Sequence, residues 1–105
     1  MASLNDLIHQ PVRLRIMAAL VAMGQGDQVE FPHIRDLFNL TDGNLGAHLR
    51  KLEDAGYVEL NKTFVARKPC TYIGATSQGR QDFVDHVAAL EAIVYAGEDD
   101  KERGG

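Results

Sequence analysis

The stretch Thr41 to Glu59, TDGNLGAHLRKLEDAGYVE, constrains the fold most, because the apolar period changes within it from helical to alternating. Thr41 or Asp42 can accept hydrogen bonds from free first-turn amides and so start a helix, and Gly56 suits the left-handed residue that ends one. At about 100° per residue, Leu45, Leu49 and Leu52 share a narrow arc. Gly43, Asn44, Ala47, Arg50 and Lys51 spread over the other side, which is slim near its N-terminus and cationic further along. Such a face suits the major groove of DNA, where side chains must reach base edges while neighbouring charges meet phosphates.

Helices are predicted on either side. Leu4, Leu7 and Ile8 form a short apolar stripe behind a capping box of Ser3 and Asp6. Pro11 suits the first position of a second helix, where Val12, Ile16, Leu20 and Met23 recur until Gly24 and Gly26 stop it. Met17 and Met23 read as core filling. A polar connection follows, and Phe31 anchors its end before Pro32 opens a two-turn helix bearing Ile34, Leu37 and Phe38. With only Asn39 and Leu40 before Thr41, helix, turn and helix are arranged as a helix-turn-helix unit.

Beyond Gly56, Val58, Leu60 and Phe64 alternate with Glu59, Asn61 and Thr63, as expected of a strand with one buried face. Ala66 to Pro69 interrupt the pattern before a second run from Cys70 to Ala75, so residues 57–75 read as an antiparallel hairpin with Arg67 and Lys68 near its tip. A two-stranded hairpin is marginal alone and must pack on the helices as a wing. Thr76 or Ser77 can cap a last helix with Phe83, Val87, Leu90 and Val94 at spacings of four, three and four, flanked by Val84, Ala88 and Ile93. So wide an apolar arc calls for a second copy of the same helix.

The expected fold is therefore mainly α with a small β-hairpin. Residues 1–96 form the domain, and 97–105 form an acidic disordered tail. The 45% hydrophobic and 25% charged content is that of a soluble globular protein, without a membrane-length apolar run or a signal peptide, which predicts a cytoplasmic location. The formal charge of -4 disfavours DNA as a partner only until the charges are located. Glu98, Asp99, Asp100 and Glu102 lie in the tail, while Arg50, Lys51, Lys62, Arg67 and Lys68 cluster mid-chain.

The order helix, helix, turn, helix, hairpin, helix is that of a winged helix-turn-helix domain. The chain resembles the small single-domain transcriptional regulators related to the MarR and ArsR groups over about Leu4 to Val94. The resemblance is carried by IHQPVRLRIMAAL, by Thr41 to Glu59, by RKP at the hairpin tip and by TSQGRQDFVDHVAALEAI. It implies a sequence-specific, repressor-like regulator that binds double-stranded DNA as a homodimer, with helix 41–55 in the major groove and the hairpin as a wing that reaches along the backbone or into the adjacent minor groove. It maps Thr41, Asn44, Ala47, Arg50 and Lys51 to the recognition helix and Arg67 and Lys68 to the wing. Lys62 joins the wing cations, and His48 borders the recognition face within reach of a phosphate. The expected dimer interface is Leu4, Leu7, Ile8, Phe83, Val84, Val87, Leu90, Ile93 and Val94. Relatives often carry arginine where this chain has Cys70 and Gly74, and TPEG where it has Thr76 to Gly79.

Other chemistry has little support in the sequence. His9, His33, His48 and His86 lack i, i+4 pairing and an adjacent cysteine, so they read as isolated surface or helix-edge residues, with no metal or other cofactor. Cys70 has no second thiol to resolve an oxidised form and reads as a small strand residue. No phosphate loop, HExxH or nucleophile elbow supports an enzyme. The competing reading is a winged-helix adaptor between proteins, and an effector, if any, would bind at the dimer interface or between helices.

Overall fold

The structure, a computed structural model, describes the backbone of residues 4–104 and the side chains of residues 4–97. Five helices and three strands follow in the order α1 (Asp6–His9), α2 (Pro11–Ala22), β1 (Val29–Glu30), α3 (Phe31–Leu37), α4 (Asp42–Asp54), β2 (Val58–Val65), β3 (Lys68–Ala75) and α5 (Ser77–Gly104). The lead-in helix is a single turn. Its cap is Asn5, whose side chain accepts from the Ile8 amide, and the expected Ser3 cap lies outside the described residues. Helix α2 begins with Pro11 after Gln10, whose side chain accepts from the Arg13 amide.

Ile8, Ile16, Met17, Leu20, Ile34, Leu45, Leu49, Leu52, Val58 and Ile73 form one buried cluster, so α4 packs with the three leucines of its narrow arc. Two expected core residues do not reach it. Leu37 is 56% exposed because only one turn of the short α3 faces inward, through Ile34, and Phe64 is 73% exposed on a strand that outruns the helices. Ile8, expected at a dimer contact, is buried in the core of the single chain, and Leu7 packs against that core.

The sheet has three strands, not two, in the order β1-β3-β2. The residues Val29 and Glu30, expected in a polar connection, pair with Ile73 and Tyr72. Two residues have too short a period to announce a strand, and only pairing with β3 makes them one. The hairpin turn is tighter than expected: Val65 pairs with Lys68, leaving Ala66 and Arg67 as its tip, both at positive φ (51° and 67°) as a two-residue type I′ turn requires. Pro69 therefore lies within β3, opposite Phe64, at a point where β1 no longer runs alongside and no second ladder needs its missing N–H.

Thr76 joins the last helix to the body. Its hydroxyl donates to the Gly56 carbonyl at 2.6 Å and accepts from the Gly79 amide at 2.9 Å, so the residue that caps α5 also fastens it to the end of α4. Gly79 lies so close to the Tyr57 backbone that an added Cβ would collide with its carbonyl. Arg80, one residue on, donates to the carbonyls of Val21, Met23 and Gly24 and closes the C-terminal end of α2.

Helix α5 also corrects two sequence expectations. It continues past Gly97 to Gly104, where a disordered tail was expected, because glutamate, lysine and arginine are good helix formers even without an apolar anchor. His86 is not at the surface. It is fully buried, accepts from the Asn5 amide at Nδ1 (2.9 Å), and its Nε2 lies 3.3 Å from Nδ1 of His9, so α1 and α5 are joined by a histidine pair. With Nδ1 accepting, a neutral His86 carries its proton on Nε2 and donates it to His9. Nε2 is then unavailable to a metal, and no group of three or more metal-ligating side chains occurs among the described residues.

Candidate nucleic-acid interface

The helix-turn-helix is set by a few polar contacts. Asn39 takes a positive φ of 53° between α3 and α4, a conformation asparagine tolerates. Arg35 of α3 pairs with Asp36 at 2.9 Å and reaches the first residue of α4, Asp42, at 2.8 Å. These carboxylates raise the Arg35 pKa above its ordinary value, the hydrogen bond that Arg35 donates to Asp36 contributing most. Of the two candidate caps, Thr41 is the one used, its hydroxyl accepting from the Asn44 amide at 3.1 Å. Gly56, at φ 81°, turns the chain out of α4 into β2.

The packing of Leu45, Leu49 and Leu52 leaves Thr41, Asn44, Ala47, Arg50 and Lys51 exposed on the opposite side of α4, with the small residue Gly43 beside them. His48 differs from the rest. It is half-buried against Arg13, whose guanidinium donates toward Nδ1 at 3.5 Å. Desolvation first, then the Arg13 and Lys51 charges, lower its pKa and keep it neutral. Sequence periodicity gave no sign of Arg13, which sits on α2 and comes to this edge only through the packing of α2 on α4.

The hairpin supplies the other wall. Lys62, Arg67 and Lys68 are exposed on it. Between α4 and the sheet runs a groove of about 200 Å³, lined by Phe31, Gly46, Leu49, Arg50, Glu53, Leu60, Lys62 and Thr71. Arg50 from the helix and Lys62 from the strand thus face one channel, and Gly46 keeps its floor low. Among the described residues every salt bridge involves Arg35, so Arg50, Lys51, Lys62, Arg67 and Lys68 have no carboxylate partner. A larger hollow of about 460 Å³ lies around the start of α3, between Asp42 and Pro69 to Thr71, with the half-buried Cys70 in its wall.

Comparison with known proteins accounts for this arrangement. Residues 12–94 match the winged helix DNA-binding domain. The chain belongs to that family. An uncharacterised protein from Methanocaldococcus jannaschii is 36% identical over 81 residues, covering 77% of this chain and 85% of the relative. A transcriptional regulator homologue from Pyrococcus horikoshii superposes with a TM-score of 0.79 at 30% identity, over 88% of each chain. A provisionally described transcriptional regulator from Salmonella typhimurium has the same fold at 18% identity, with a TM-score of 0.68 over 95% of this chain and 87% of that one. In winged helix terms α3 and α4 are the helix-turn-helix and β2–β3 is the wing, in a family of transcriptional regulators and not of enzymes. No helix among the described residues is long and apolar enough to cross a membrane.

Proposed function

We propose that the protein is a sequence-specific double-stranded DNA-binding regulator that acts as a homodimer, with α4 in the major groove and the wing on the adjacent backbone. The observation that carries this reading is the set of five exposed cations on α4 and the wing, Arg50, Lys51, Lys62, Arg67 and Lys68, which have no carboxylate partner among the described residues, with Arg50 and Lys62 lining one groove between the two elements. The slim face of Gly43, Asn44 and Ala47 leaves room for α4 to approach base edges. Occupancy of the site alone would give repressor-like action, and a cytoplasmic location accords with DNA as partner.

The second subunit is supported by α5. Its apolar stripe divides: Phe83 packs on the core and Leu90 is half-buried, whereas Val84, Ile93, Val94 and Tyr95 are 54–59% exposed. Val87 lies half-buried at the boundary. The dimer surface is therefore the outer part of the expected set together with Tyr95, with Leu4, 38% exposed, as the nearest contribution from the N-terminal end.

Binding to duplex DNA as a function of salt tests the reading. With four phosphate contacts per subunit, log Kd against log salt should have a slope of magnitude about 7 for the dimer. An affinity for duplex that stays constant from low to moderate salt would reject DNA as the partner and favour a protein adaptor.

A further inference from the structure

The hollow beside α3 is employed neither by the core nor by the cationic face of α4 and the wing. It opens where the sheet changes width. β1 covers β3 at Ile73 and Tyr72 and then gives way to α3, leaving β3 without a strand neighbour on that side from Lys68 to Thr71. Phe31 and Pro32 from the first turn of α3 and Pro69 from β3 supply its apolar surface, and Glu30, Arg35 and Asp42 supply its charge. At about 460 Å³ it has the size of a small-molecule site.

The one cation of the lining is already engaged. Arg35 donates from Nε to Asp36 at 2.9 Å and from Nη1 to Asp42 at 2.8 Å. Glu30 has no cationic partner among the described residues, and although it precedes α3 its side chain caps no amide of that helix. With two carboxylates against one guanidinium, and none of the five cations of α4 and the wing in its lining, the hollow is net negative. A polyanion is repelled from it, and a carboxylate ligand would meet an arginine that two carboxylates already hold. No group of three or more metal-ligating side chains occurs among the described residues, so the lining does not match a metal ion either. It suits a cation with an apolar body. The carboxylates attract the charge, the Phe31 ring adds cation–π attraction, and Phe31, Pro32 and Pro69 cover the rest.

We propose that this hollow binds a small organic cation with a flat apolar body, its charge on Glu30 and Asp42. Asp42 is the first residue of α4, and its bond to Arg35 is the salt bridge that ties α4 to α3. A bound cation competes with Arg35 for that carboxylate, so the occupied protein holds its helix-turn-helix less firmly than the free one. Occupancy therefore lowers affinity for DNA. That consequence rests on the DNA-binding reading above, whereas the site itself does not.

Cys70 is the single cysteine of the chain and stands in the wall of the hollow, so its reactivity reports occupancy. The test follows alkylation of Cys70 by the uncharged reagent iodoacetamide at constant ionic strength, with benzyltrimethylammonium, benzyl alcohol or benzoate added, and takes Kd from calorimetric titration of the same compounds. Benzyltrimethylammonium should slow alkylation saturably, by about tenfold at ten times its Kd, because only the unoccupied protein reacts. Benzyl alcohol and benzoate should leave the rate unchanged. In Glu30→Gln, which keeps the shape of the side chain and whose fold thermal unfolding verifies, the cation should bind about fivefold more weakly. Absence of cation binding, equal binding of the three compounds, or binding undiminished in Glu30→Gln would overturn the site. On a duplex selected by the unmodified protein from a random-sequence pool, saturating benzyltrimethylammonium should weaken binding by about tenfold relative to sodium chloride at the same ionic strength. Cation binding with unchanged duplex affinity would overturn the competition for Asp42. If no duplex is selected, the DNA-binding reading fails, and alkylation and calorimetry still decide the site.

Discussion

At the scale of single residues, the proposed DNA interface divides base reading and phosphate contact between α4 and the wing. Asn44 is exposed near the start of the helix, its backbone N–H donating to the Thr41 hydroxyl and its side chain standing on the exposed face proposed to meet the bases. Lys68 lies at the wing tip, suited to a phosphate. Asn44→Ala should therefore change preference among sites by about 1–3 kcal/mol at one base pair, and Lys68→Ala should weaken all sites alike. Binding to a panel of single-base variants distinguishes these outcomes. Altered preference in Lys68→Ala would assign base reading to the wing.

His86 illustrates a residue whose character depends on its surroundings. Burial, and secondarily the charge of His9, lower its pKa from the ordinary 6.5, so the folded state favours the neutral ring that accepts from Asn5. The unfolded chain takes up a proton near 6.5 where the folded chain does not. The stability due to neutral His86 is thus whole above that pH and is lost as pH falls from 6.5 toward the lowered folded value. Tm measured from about pH 8 to about pH 5 should decline on the acid side, and less steeply in His86→Asn, whose amide oxygen can still accept from Asn5. His48, also lowered, leaves a residual slope in that variant.

Among the elements, α5 is fixed at its first turns and becomes free further along. Thr76 and Arg80 fasten it, Gly79 allows the close approach, and His86 meets α1. Arg80 satisfies three carbonyls at the end of α2, at 2.7 to 3.2 Å, while its buried Nε has no partner. Arg80→Ala leaves those carbonyls to compete for water at a closed junction and should lower the unfolding free energy by about 2 kcal/mol. Urea denaturation measures it, and an unchanged midpoint would assign the junction to Thr76 alone. In the wing, Ala66 and Arg67 occupy a turn that asparagine and glycine prefer, which puts a cation at the tip.

On the scale of the whole molecule, the radius of gyration of 16.3 Å exceeds the roughly 13 Å of a compact chain of this length. The extents of 64 × 26 × 22 Å reflect α5, whose 28 residues span about 42 Å. A projecting helix with exposed Val84, Ile93, Val94 and Tyr95 has apolar surface that the body cannot reach. Val94→Asp would put an unpaired charge into the proposed two-fold contact without entering the core, and should yield monomers with much weaker binding to a two-site duplex. Sedimentation at micromolar concentration checks this, and an unmodified protein already monomeric there would remove the dimer. A two-fold dimer would read half-sites about 34–36 Å apart.

The sequence by itself determined the helices, α4 among them, and the existence of a hairpin, because these depend on local periods, caps and glycine stops. Leu45, Leu49 and Leu52 could be assigned inward from their spacing alone and Gly56 to the helix end from its chemistry, while the choice of Thr41 over Asp42 as the cap fell to the structure. Only the tertiary structure decided which apolar residues find cover. Phe64 and Leu37 carry the same signal as buried neighbours, and their exposure follows from where the helices stop. It also decided the strand Val29–Glu30, the meeting of His9 with His86 across 77 residues, and the approach of Arg13 to His48. None of these has a sequence period, because each is a contact between elements whose distance in the chain carries no information about their distance in space.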